Sequence, residues 1–62
     1  LDLDFGSGEI SENEFINCGD EGIDLMENYN VEVLNNLVLG AGDKGIDADY
    51  QLDTILNLNI ID

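Results

Sequence analysis

Apolar and acidic residues alternate in short bursts along this chain. Leu1-Asp2-Leu3-Asp4-Phe5 is the first burst, and Ile23-Asp24-Leu25, Val31-Glu32-Val33 and Ile46-Asp47-Ala48 follow the same rule. A period of two is the signature of a strand with one face inward and one outward. Further short apolar strands are expected around Phe15, at Leu37-Val38-Leu39, over Asp53-Thr54-Ile55-Leu56 and at Ile60-Ile61. Between them lie turn clusters: Gly6-Ser7-Gly8, Gly19-Asp20-Glu21-Gly22, Asn28-Tyr29-Asn30, Asn35-Asn36 and Gly40-Ala41-Gly42-Asp43. Glycine suits such turns because it reaches positive φ without a steric penalty, so Gly19, Gly22, Gly42 and Gly45 are assigned to turns. Proline is absent, so every residue beyond the first can donate to a sheet ladder. A helix over Asp49 to Leu58 is the alternative for that segment. Its apolar spacing is poor, and it aligns with the β-rich segment 26–35.

The bursts recur. Cys18-Gly19-Asp20-Glu21-Gly22-Ile23-Asp24 returns as Ala41-Gly42-Asp43-Lys44-Gly45-Ile46-Asp47, 43 − 20 = 23 residues later. The same step links Asn13, Asn36 and Asn59, and Phe15, Val38 and Ile61. It also pairs Val31 with Thr54, and Val33 with Leu56. A fixed period in the low twenties marks a solenoid whose coils stack. Each period holds three short strands and three turns.

Asn13-x-Phe15-x-Asn17, Asn36-x-Val38 and Asn59-x-Ile61, each near a Gly-Asp turn, resemble coils of the right-handed parallel β-helix, the pectate-lyase-like architecture. The resemblance implies an all-β solenoid of about two and a half coils. The chain then reads as one β-helix segment, 1–62, with a partial coil 1–12, coils 13–35 and 36–58, and the start of another at 59–62. It also implies that Asn13, Asn36 and Asn59 form a ladder, each amide bonding the next coil. Stacked coils place equivalent residues about 4.8 Å apart, so Ile23 and Ile46, Val33 and Leu56, and Phe15, Val38 and Ile61 are expected to make apolar stacks. Fewer than three repeats and no recognisable cap point to a fragment of a longer protein or to a protomer that stacks on its neighbours.

Fifteen acidic residues against one basic residue, Lys44, give a formal net charge of −14. Such a balance repels nucleic acid, whose binding depends on Lys and Arg at phosphates. It likewise opposes an anionic membrane surface, and no apolar run is long enough for insertion. It favours hard cations, Ca²⁺ above all. The single cysteine, Cys18, forms no disulfide within the chain and reads as a small core or turn residue.

In a stacked arrangement Asp20 meets Asp43, and Asp24 meets Asp47. Those four aspartates are the candidate Ca²⁺ ligands, and solvated or turn-capping side chains are the plainer reading. No EF-hand spacing is present. Gly40-Ala41-Gly42-Asp43-Lys44-Gly45 matches G-x-G-x-x-G, yet a strand-like alternation rather than a helix follows it, so it reads as a repeat turn. With no His and no Arg, no catalytic or organic-cofactor residue is assigned. Carboxylate pairs among Asp20, Glu21 and Asp43, with Lys44 beside them, keep a carbohydrate-active enzyme segment as the alternative. Phe5, Tyr29 and Tyr50 suit stacking on sugar rings, but the two tyrosines are not one repeat apart. The functional expectation is a structural or adhesive acidic module of a secreted or cell-surface protein. Its expected partners are other copies of itself or flanking coils, and its alternative partner is a polysaccharide.

Overall fold

A computed structural model describes residues 1–62. Nine short strands follow one another without a helix: β1 (Asp2–Asp4), β2 (Gly8–Ser11), β3 (Glu14–Ile16), β4 (Ile23–Met26), β5 (Val31–Leu34), β6 (Leu37–Leu39), β7 (Ile46–Asp49), β8 (Ile55–Asn57) and β9 (Ile60–Ile61). Every third strand pairs, always parallel. The result is three three-stranded sheets: β1-β4-β7, β2-β5-β8 and β3-β6-β9. Each coil contributes one strand to each sheet, and three coils stack. The smallest extent of the molecule is 11 Å, close to two steps of about 4.8 Å between neighbouring strands.

The alternation read from the sequence sets which side chains meet inside. Ile23, Leu25, Val31, Val33 and Val38 are fully buried in the middle coil. Leu3, Ile10, Phe15 and Ile46 pack on them from the outer coils. Register stacks Phe15 on Val38 on Ile61, Ile23 on Ile46 and Val33 on Leu56. Inward residues of the outer coils are covered on one side only, so Leu56 and Ile61 remain about half exposed (48% and 52%).

The 23-residue period slips once. Gly8 pairs with Val31, 23 residues on, but Asp2 pairs with Asp24, only 22 on. The missing residue lies in the first corner, where Phe5-Gly6-Ser7 joins β1 to β2, against Glu27-Asn28-Tyr29-Asn30 between β4 and β5.

Corners are made by residues in the left-handed region. Phe5, Glu27 and Tyr50 (φ 57°, 54° and 52°) end the strands of the first sheet. Glu12, Asn35 and Leu58 end those of the second, and Asn17 and Gly40 those of the third. A residue other than glycine or asparagine there costs about 1–2 kcal/mol, so the stacked sheets hold Phe5, Glu12, Glu27, Tyr50 and Leu58 against local preference.

The turn glycines work differently from the expectation. Gly19, Gly22, Gly42 and Gly45 are not in the left-handed region. Three of them are glycine because neighbouring coils approach closely. A Cβ on Gly42 would strike the Gly19 carbonyl, one on Gly22 the Val38 side chain, and one on Gly45 the Ile61 side chain.

Candidate functional site

Asparagines line the corner between the second and third sheets. The backbone N–H and Nδ2 of Asn13 donate to Asn36 Oδ1 at 3.0 and 3.1 Å. Those of Asn36 donate to Asn59 Oδ1, both at 3.0 Å. Two of the amides also reach back to the preceding coil. Asn36 Nδ2 donates to the Ile10 carbonyl at 2.9 Å and Asn59 Nδ2 to the Val33 carbonyl at 3.0 Å. Asn36 is 2% exposed, and a buried amide is tolerated only when its donors and acceptor are satisfied. No buried side-chain polar atom in the chain lacks a partner.

Asn28 does the same work at the corner between the first and second sheets. Its Oδ1 accepts from the Gly6 N–H at 2.7 Å and its Nδ2 donates to the Leu3 carbonyl at 2.9 Å. Sequence reasoning placed Asn28 in a turn and missed this role, because the equivalent positions hold Gly6 and Gln51 and give no repeat signal.

The outer face of the first sheet and the turn leading into it are acidic. Asp2, Asp24 and Asp47 are in register on successive strands, as are Asp4, Met26 and Asp49. Asp20 and Asp43 also come together, the Asp43 N–H donating to the Asp20 carbonyl at 2.9 Å. The four aspartates singled out from the sequence fall into two clusters rather than one. Asp20, Glu21 and Asp43 form the first; Glu21, Asp24 and Asp47 form the second, with carboxylate oxygens within 4.8 Å of one another in each. Glu21 joins them. It stands one coil before Lys44, so a rule that stacks like on like left it out of the Ca²⁺ ligands, although it was named beside Asp20 and Asp43 for the enzyme alternative.

Crowding shows in the protonation of these groups. A hydrogen bond shared with Asp20, then partial desolvation and the charges of Asp20, Asp24 and Asp43, raise the Glu21 carboxyl from 4.5 to about 7. Desolvation, then Asp2 and Asp47, push Asp24 above its ordinary value. Asp4 is raised by desolvation, then by Asp2, Asp24 and Glu27. Lys44 lies 3.6 Å from Asp43 and 3.8 Å from Asp47, and those two charges hold its ammonium above its usual range. Ion pairs this exposed contribute little to stability. The donor set suits a hard cation, since every potential ligand is a carboxylate oxygen.

Residues 2–62 match the family described as right handed beta helix region. The chain belongs to that family. No curated protein and no solved structure matches it. The β-helix therefore has its hand and architecture assigned, and its chemistry must be argued from its own residues, because this fold hosts many unrelated functions. No cavity indents the β-helix, so any ligand meets an open surface. Cys18 is half-buried and free, at the position that Ala41 fills one coil later.

One further corner of the β-helix gathers side chains that the sequence kept apart. Phe5, Glu27 and Tyr50 occupy one column, because the Phe5 N–H donates to the Met26 carbonyl and the Glu27 N–H to the Asp49 carbonyl, both at 3.1 Å. Tyr29 lies two residues beyond Glu27, on the far side of buried Asn28, and pairs with Leu52.

Proposed function

We propose that this β-helix is a structural or adhesive acidic module of a secreted or cell-surface protein, extended end to end by further coils and steadied by Ca²⁺. The observation that carries this reading is the state of the outer coils. Their strands have one free edge, and their inward residues, Leu56 and Ile61 among them, are about half exposed. Another coil, from the same chain or a second copy, would pair those edges and cover those residues. The asparagine ladder has matching ends for such growth. Asn13 Oδ1 faces one end as an acceptor, and the Asn59 N–H faces the other as a donor, as Asn36 does toward Asn59. Repulsion across the acidic face opposes stacking, and Ca²⁺ held by Asp20, Glu21 and Asp43, or by Glu21, Asp24 and Asp47, would relieve it.

Sedimentation velocity of the 6.8 kDa chain in Ca²⁺ and then in EDTA tests this. Large assemblies that form in Ca²⁺ and dissolve in EDTA are expected. A monomer in both would remove cation-gated self-assembly and leave the module as part of a longer solenoid.

A second reading rests on Glu21. A carboxyl raised to about 7 beside other carboxylates has the protonation that a glycoside hydrolase asks of its acid. Hydrolysis or cleavage of a polysaccharide that disappears in Glu21→Gln would favour this reading over a structural one.

A further inference from the structure

Three of the four aromatic residues of the chain stand on one corner, and all are more than half exposed: Phe5 at 70%, Tyr29 at 52% and Tyr50 at 80%. Leu52, 65% exposed, lies beside Tyr29 on the next coil. Nothing in folding favours this. Phe5 and Tyr50 occupy left-handed backbone, where asparagine or glycine would be less strained, and their rings cover no core. Carboxylates frame the rings. Glu27 sits between Phe5 and Tyr50 in the column, and Asp4 and Asp49 occupy the equivalent preceding positions. Asp53 lies just past Leu52. The one side-chain cation, Lys44, is drawn to Asp43 and Asp47, in the turn and strand that lead toward this corner.

We propose that this corner is a docking surface for an extended, arginine-rich peptide segment of another protein. A guanidinium stacks on an aromatic face and forks to a carboxylate at the same time, and the Phe5–Glu27–Tyr50 column offers ring, carboxylate and ring at steps of about 4.8 Å. Charge complementarity selects the occupant. A chain at −14 attracts a polycation, whereas a neutral glycan would use the rings and gain nothing from the uncompensated field. The proposal stands apart from end-to-end assembly and from Ca²⁺.

The test is fluorescence anisotropy of a labelled arginine–glycine peptide titrated with the chain in EDTA at physiological ionic strength. The double variant Phe5→Asn/Tyr50→Asn keeps the net charge and places asparagine where left-handed backbone suits it, so it is expected to fold at least as well. It should bind the peptide about tenfold more weakly. Glu27→Gln should weaken binding more than Glu32→Gln, which removes the same charge from the exposed face of β5. Equal affinity of the parent and the double variant would reduce the binding to diffuse charge and overturn the proposal. Saturable binding of a neutral glucan oligosaccharide, with none of the peptide, would overturn it in favour of a glycan-binding face.

Discussion

At the corner between the second and third sheets the chain repeats Asn13, Asn36 and Asn59. At the corner between the first and second it has Gly6, Asn28 and Gln51. The backbone geometry is shared: a left-handed residue precedes each of these six positions. What differs is how the inward polar position is filled. In the regular corner the middle amide, Asn36, serves both neighbouring coils. In the irregular one the Asn28 side chain bonds only the preceding coil, while Gln51, one methylene longer, turns to its own Asp49 carbonyl and accepts from Thr54. The regular corner is a structural spine. The irregular corner varies in length and composition, and it is where the exposed rings gather.

Substitutions can break or sharpen this contrast. Asn36→Ala should have the largest effect. It strands the Asn13 N–H and Nδ2 and removes one donor each from the Ile10 carbonyl and Asn59 Oδ1, at a cost of about 3 kcal/mol or more. Far-UV circular dichroism with a urea titration would show a large drop in midpoint. Asn28→Ala removes two bonds and should cost about 2 kcal/mol; a loss as large as that of Asn36→Ala would erase the distinction between the corners. Gln51→Asn offers the missing rung beneath Asn28 and should stabilise by about 1 kcal/mol if the two corners are interchangeable. A neutral or negative result in the same titration would mean that this corner cannot accept a spine.

The smallest effect concerns protons. Glu21 has its carboxyl raised in the folded chain, to about 7, so the folded state binds more protons than the unfolded one between 4.5 and that value. Stability should therefore rise as pH falls from 8 toward 5 and be lost again as pH rises through 7. The upward shifts of Asp4 and Asp24 act in the same direction. Thermal melts across that range would show it, and Glu21→Gln should flatten the profile. A midpoint that falls on acidification would contradict the crowding of the acidic face.

The parallel solenoid was legible because alternation and repetition are carried by many residues at once. Ile23 and Ile46, or Phe15, Val38 and Ile61, report the same coil independently. The aromatic column was not legible, because the first corner is one residue short. Phe5 and Tyr50 are 50 − 5 = 45 residues apart, not twice 23, and a strict repeat separates them. Glu21 was named in the carboxylate pairs of the enzyme alternative but not among the Ca²⁺ ligands, because its partner one coil on is Lys44 and its neighbours are carboxylates reached across the turn rather than along a column. The glycines were located as turn residues but for a different reason: contact between successive coils constrains Gly22, Gly42 and Gly45 more than φ does.

Mechanical load acts on this molecule unevenly because its interstrand hydrogen bonds run from coil to coil, along the axis. A force applied at the two ends of the axis loads one seam at a time, so the coils should peel in sequence at modest force rather than break together. Each coil released from the stack frees about 75 Å of chain where it had occupied about 4.8 Å. A row of such coils would behave as an extensible tether that yields in steps and rewinds when the load is removed.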